Sequence, residues 1–194
     1  MISLDGLKQY MQVSDSSQDG FLQTCADNAI STINDYCCRD FRAASYTEYI
    51  SGKSTPIIKI KNFPLSSVSL LQFYDSSIYD YGNIITGQGD TINNSTRLLS
   101  DTGEIVLVKG YFFEQGDNNI KVTYTGGYST SPADIKGVCL EIAAVYYKNS
   151  YAGKGAGRLG LTSESAGSSE NISFDTNIAN KWQQVLNGYR NINV

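Results

Sequence analysis

Histidine is absent from all 194 residues. The side chain that most often serves as a general base near neutral pH, and the commonest transition-metal ligand, is therefore missing, which counts against a catalytic or metal role more than any other feature. Proline is scarce, with three residues, and no run of about 18 uncharged apolar residues is present to cross a bilayer. The first twenty residues hold neither a basic n-region nor an apolar stretch, so no signal peptide is expected and folding is expected to begin in the cytoplasm.

Cysteine is limited to Cys25, Cys37, Cys38 and Cys139. An adjacent pair would form a strained bridge, and no C-x-x-C spacing is available to hold zinc. The four read as free thiols, mostly small core residues. Charge is sparse as well: 18% of residues are charged, and fifteen basic against nineteen acidic side chains give a net charge of −4. That is the wrong sign for a protein whose affinity comes from neutralising phosphates, so tight nucleic-acid binding is not expected.

Motifs of chemistry are equally thin. No G-x-S-x-G, H-E-x-x-H, P-loop or EF-hand spacing occurs. The G-x-G-x-x-G match at residues 155–160 follows a helical stretch and enters a serine-rich one, whereas a dinucleotide fingerprint must follow a strand and open a helix. It reads as linker. Asn94-Ser95-Thr96 and Asn171-Ile172-Ser173 match the glycosylation acceptor but read as polar loop residues. No catalytic residue, cofactor or metal ligand is assigned, and the chain reads as no enzyme.

What is present is globular: 41% of residues are apolar, enough for a real core, and a chain of this length buries about 70% of its unfolded surface on folding. Ser3 caps a short helix over residues 4–11, followed by a polar turn. Between residues 18 and 39, Phe21, Leu22, Cys25, Ala26, Ala29, Ile30, Ile33, Tyr36 and Cys37 form one apolar stripe, the strongest helix signal in the chain. The period then falls to two. Strands are expected over 46–50 and 57–61, joined by a hairpin loop at Ser51-Gly52-Lys53-Ser54, with Ile58 and Ile60 facing one way and Lys59 and Lys61 the other. Further strands are expected over 68–74, 105–108 and 120–124, and residues 75–95 read as a long loop or mobile hairpin.

Ser131 and Pro132 open a third helix reaching about residue 149, with Ile135, Val138, Cys139, Ile142, Ala143 and Tyr146 on its inner face. Residues 151–173 turn rich in Gly, Ser and Ala and read as a flexible linker. Beyond it Ile178, Trp182, Val185, Leu186 and Tyr189 outline an amphipathic helix, which docks either onto its own domain or onto a partner. The fourteen tyrosines fit either an interface or a packed sheet face. The fold class is α+β: an N-terminal helical pair, an antiparallel β-rich insertion at about 44–128, a third helix, a flexible linker and a C-terminal helix at 174–194.

Three blocks carry a resemblance. Leu4-Asp5-Gly6-Leu7-Lys8-Gln9-Tyr10 with Asp19-Gly20-Phe21-Leu22 and the helix ending Tyr36-Cys37-Cys38-Arg39-Asp40-Phe41 is the first, and Asn62-Phe63-Pro64-Leu65-Ser66-Ser67-Val68 the second. The third is Val122-Thr123-Tyr124-Thr125-Gly126-Gly127-Tyr128 followed by Pro132-Ala133-Asp134-Ile135-Lys136. Together, over residues 1–150, the chain resembles the head-to-tail connector (adaptor) proteins of tailed bacteriophages, in the branch where a strand-rich insertion separates the second helix from the third.

The resemblance implies a structural protein of the virion neck, assembled in the host cytoplasm. It implies a homo-oligomeric ring, usually of twelve copies, bound beneath the portal protein and offering a platform to a stopper or tail-completion protein. DNA would pass through the lumen without specific binding, and no membrane is involved. Closed rings need two different sticky faces per copy, and the second and third helices are the expected wall elements. The C-terminal helix would anchor the chain to the portal through Ile178, Trp182, Val185, Leu186 and Tyr189, and residues 75–95 would face the tail. Two other readings stand beside this one. The first is a different neck or tail-completion protein. The second is a small enzyme or ligand-binding domain, which predicts a concave cavity with convergent carboxylates.

Overall fold

A computed structural model describes residues 1–75, 80–85, 96–108, 110–148, 163–166, 170–173 and 176–191. Its contacts divide the chain into a helical unit, Met1–Cys38 with Ser131–Arg190, and a β unit, Arg39–Thr130 with Asn191–Val194. The architecture is α+β, as the element order predicts.

The helical unit opens with α1 (Leu4–Met11), whose first turn is capped by the Ser3 hydroxyl accepting from the Gly6 N–H at 3.1 Å. Lys8 reaches Asp19, at the start of α2 (Asp19–Cys37), at 2.6 Å. One face of α2 buries Leu22, Cys25, Ala26, Ala29, Ile33 and Cys37, as its apolar stripe predicts. That face packs on α3 (Ala133–Lys148), which buries Ile135, Val138, Cys139, Ile142, Ala143 and Ala144. Alanines on both helices let the two backbones approach. The first bond of α3 runs from the Lys136 N–H to the Pro132 carbonyl at 3.0 Å, so Pro132 rather than Ser131 holds the cap position, a one-residue shift.

Residues 151–162 of the expected linker lie outside the described residues, as does the G-x-G-x-x-G match. Within the same stretch, β8 (Ser163–Ala166) and β9 (Glu170–Ser173) pair as an antiparallel ribbon. The last helix, α4 (Thr176–Asn187), packs against α2 and α3 of its own unit.

The β unit holds two antiparallel sheets. In the first, β1 (Ala44–Gly52), β7 (Gly116–Gly126), β3 (Leu65–Asp75) and β4 (Asp80–Ile85) lie in the order β1-β7-β3-β4. In the second, β2 (Ile57–Lys59), β6 (Glu104–Leu107) and β5 (Thr96–Leu99) lie in the order β2-β6-β5. Ile58, Leu98, Ile105 and Leu107 from the smaller sheet share one buried cluster with Val68, Leu71, Ile120, Val122 and Tyr124 from the larger. The strict alternation along β7 supplies its side of that core: Ile120, Val122 and Tyr124 are fully buried between half-exposed Lys121, Thr123 and Thr125.

The hairpin expected at residues 51–54 is not formed. β1 pairs with β7 and β2 with β6, so the chain switches sheets there instead of folding back. Gly52 lies so close to the Glu114 carbonyl that a Cβ would stand 1.8 Å from it, and Ser54 turns the chain at φ 55. Switching buries Ile58 and Ile60 between the sheets, a gain that turn chemistry alone does not register. The segment 75–95, expected as a loop or hairpin, contributes β4, paired with β3 from Leu71↔Ile85 to Asp75↔Asp80. Its remaining residues, 76–79 and 86–95, lie outside the described ones.

Arg39 fastens the entry to the β unit. Its guanidinium, 2% exposed, lies 3.5 Å from the centre of the Phe63 ring, with Phe41 and Tyr128 at 4.8 and 5.7 Å. Gly127 makes the neighbouring turn at φ +95, where a Cβ would stand 2.2 Å from the Arg42 carbonyl.

Candidate functional site

Two surfaces carry the functional question: the C-terminal helix and a cleft on the β unit. On α4, Leu186 is buried, while Trp182, Val185 and the following Tyr189 are half-buried. The side chain of Ile178 lies outside the described residues. The Trp182 indole N–H donates to Glu141 at 2.6 Å, and Lys181 pairs with the same carboxylate at 3.1 Å. The Tyr36 hydroxyl donates to Asn187 at 2.8 Å, the Tyr189 hydroxyl to Asp134 at 2.7 Å, and the Arg190 guanidinium stands 5.5 Å from the Tyr36 ring centre. Of the two alternatives left open by the sequence, docking of this helix onto its own domain is therefore the one observed. Its exposed side carries Lys181, Gln183, Gln184 and Asn187.

The cleft, about 480 Å³, opens on the β unit between Glu48, Tyr49, Lys53, Lys59, Lys61 and Asn191. Strand alternation builds it: Ile58 and Ile60 enter the core, so Lys59 and Lys61 face outward. A polar network ties its Glu48 to the strands beneath. The Tyr124 hydroxyl donates to Glu48, and the Lys61 N–H donates to the same carboxylate at 3.0 and 3.2 Å. The Asn62 N–H in turn donates to the Tyr124 oxygen at 3.0 Å, and the Asn62 side chain accepts from the Asp40 N–H at 2.7 Å. Burial, reinforced by Glu48, pushes the Tyr124 hydroxyl far above the ordinary tyrosine range. Asn191 closes one wall by donating to the Lys61 carbonyl at 3.3 Å.

Chemically this cleft carries net positive charge among its lining residues. Among its lining residues it holds one carboxylate rather than the convergent set an enzyme reading predicts, and that one accepts hydrogen bonds from its own scaffold. Among the described residues no group of three His, Cys, Asp or Glu side chains gathers to hold a metal, and no helix is long and apolar enough to cross a membrane. Cys25, Cys37 and Cys139 are buried thiols outside any disulfide, and Cys38 is half-buried. Burial pushes the Cys139 thiol up to about 12.

Sequence reasoning located the amphipathic stripe of α4 and the outward alternation of Lys59 and Lys61. It missed Glu141, Asp134 and Tyr36 as the partners of α4, and Lys53 and Asn191 as walls of the cleft, because tertiary contacts assemble both. The helices expected as ring walls, α2 and α3, bury their apolar faces against each other, so only their outer faces remain for assembly.

Compared with known proteins, the sequence matches the head completion protein family over residues 1–192. Three solved chains share its fold across 100% of its length. One, from the neck of an empty gene transfer agent particle computed with C6 symmetry, has a TM-score of 0.64 and 13% identity, with 91% of that chain covered. Another, from the virion of a native gene transfer agent particle, has a TM-score of 0.62 and 12% identity, again with 91% covered. A third, from the neck of the native particle computed with C12 symmetry, has a TM-score of 0.56 and 13% identity, with 93% covered. No curated protein matches the sequence.

Proposed function

The chain belongs to the head completion protein family, and on that premise we propose that it is a structural adaptor of the virion neck, forming a ring beneath the portal. The observation that carries this reading is the family match over residues 1–192, supported by neighbours in neck assemblies that align along the whole chain. Twelve copies is the number we favour, in keeping with the C6 and C12 symmetry of those necks. The ring presents a platform to a stopper or tail-completion protein, and DNA traverses its lumen without specific binding.

In this reading α4 reaches the portal with its exposed side, since Leu186 is engaged within its own unit. The substitutions Gln183→Arg and Gln184→Arg should leave folding intact and weaken portal binding. Undiminished binding would remove α4 from that contact. Deleting residues 174–194 is the blunter test, because it also strips Leu186 and the hydrogen bonds to Glu141 and Asp134 from the helical unit.

Native mass spectrometry of the protein alone, and mixed with the portal ring of the same virion, tests the adaptor role directly. A large closed ring, free or on the portal, supports it. A monomer that ignores the portal and associates with tails favours the tail-completion reading, and one indifferent to both overturns the neck assignment.

A further inference from the structure

We propose that the lysine-lined cleft of the β unit receives the acidic outer face of α2 from a second copy of this chain. The inference rests on the ring assembly proposed above and names the two surfaces that would join its members.

The cleft is a socket of net positive charge, three lysines against one carboxylate among its lining residues. Lys59 and Lys61 stand on its wall because Ile58 and Ile60, alternating with them, are 5% and 0% exposed in the core. Lys53 joins them from the segment that carries the chain from β1 to β2. Among the described residues none of these three ammonium groups has an ion-pair partner. Glu48, the acid in the same wall, is held in place by the Tyr124 hydroxyl and the Lys61 N–H, and the lysines outnumber it, so the wall stays positive. The backbone holding Lys61 is fixed on its other side by Asn191, so the socket is preorganised.

The complementary surface is α2. From Asp19 to Cys37 this helix contains no lysine or arginine, and Asp27 and Asp35 stand exposed on the side away from Leu22, Ala26, Ala29 and Ile33. Eight residues apart, they lie about 12 Å from each other along the helix. Asp27 accepts from the Gln23 amide at 3.0 Å and Asp35 from the Ser31 hydroxyl at 3.5 Å, contacts that position the carboxylates without neutralising them. Asp35 sits in the last turn, where the helix dipole disfavours an anion, so helix stability does not account for it.

Charge and shape favour a second copy over nucleic acid. A cleft of about 480 Å³ admits a row of side chains rather than a double helix, and a net charge of −4 works against phosphate binding. A contact between two different surfaces also propagates head to tail, which is what a closed ring requires.

Complementary charge reversal tests the pairing. A cleft variant carries Lys53→Glu, Lys59→Glu and Lys61→Glu, and a helix variant carries Asp27→Lys and Asp35→Lys. Neither should form rings by native mass spectrometry, alone or on the portal. An equimolar mixture should restore them, because each reversed cleft then meets a reversed helix and each native cleft a native one, and an even-numbered ring closes in alternation. Restoration would also show that both variants fold. Rings formed by either variant alone would overturn the pairing while leaving the ring itself standing. So would a mixture that stays monomeric although both variants melt like the wild type. Should a reversed variant misfold, the neutral sets Lys→Gln and Asp→Asn at the same positions decide: the pairing requires at least a tenfold weaker ring, and an unchanged ring overturns it. A wild-type chain that forms no ring alone or on the portal would instead remove the adaptor reading beneath it.

Discussion

In the β unit, Ile58, Leu98 and Ile105 of one sheet share a single apolar cluster with Val68, Leu71, Ile120 and Val122 of the other, and Phe113 stacks on Phe73 beside it. α4, by contrast, is attached to the helical unit through buried Leu186 and a border of hydrogen bonds to Tyr36, Asp134 and Glu141. The first arrangement behaves as one body, because removing any member leaves a cavity lined by the rest. The second sets an element in place with contacts individually small in water. The two arrangements give a rigid scaffold that holds the cleft and a helix whose seat is lighter.

The largest expected effect tests the rigid half of this contrast. Phe113, with no exposed surface, carries the core across the break between β6 and β7, and its N–H donates to the Thr55 carbonyl at 2.9 Å. Phe113→Ala should cost about 3–5 kcal/mol. Urea denaturation followed by far-ultraviolet circular dichroism would measure it. A loss below about 1 kcal/mol would mean that the two sheets do not depend on a common core.

Why some of this was legible in the sequence and some was not follows from the range of the interactions concerned. α1 with its Ser3 cap, the apolar stripe of α2 and the alternation of β7 are local patterns, and local periodicity carries them. β5 (Thr96–Leu99) follows a stretch of Asn, Ser and Thr, and becomes a strand through pairing with β6, a tertiary decision. The hairpin expected at residues 51–54 failed for the same reason, since a turn-rich sequence allows a fold-back or a change of sheet and the core decides between them. The α4 stripe was visible but its destination was not, because Glu141 and Tyr36 lie far from it along the chain. In the cleft, Lys59 and Lys61 were readable as an outward pair, yet Asn191, distant in sequence, closes the wall.

A second prediction sharpens the comparison through alkaline pH, since each unit carries buried acids held in their neutral form. In the helical unit burial raises the thiols of Cys25 and Cys139, the latter to about 12. In the β unit burial, with help from Glu48, raises the Tyr124 hydroxyl. A folded-state value above the unfolded one contributes stability that is complete below the unfolded pKa and is lost as pH rises through the folded one. The helical unit should therefore begin to weaken from about pH 9 and the β unit from about pH 10. Denaturant midpoints measured between pH 8 and 12 check this. Cys25→Ala with Cys139→Ala should delay the onset. Tyr124→Phe should flatten the later loss while costing about 1–3 kcal/mol at pH 8, because Glu48 and the Asn62 N–H lose a partner. An onset that none of these substitutions moves would place the sensitive groups elsewhere.

The smallest effect tests the adjustable half. Glu141 accepts from the Trp182 indole and pairs with Lys181, which is mostly exposed, so Glu141→Gln keeps one hydrogen bond and gives up an ion pair open to solvent. The cost should be at most about 1 kcal/mol. Trp182 is the single tryptophan of the chain, so its fluorescence reports on α4 while circular dichroism reports on both units. If α4 can leave its seat separately, the fluorescence transition of the Glu141→Gln variant should move to lower urea while the circular dichroism transition stays in place. If both move together, α4 unfolds only with the helices beneath it. It would then belong to the scaffold, and the portal contact proposed for its exposed side would have to be made without it moving.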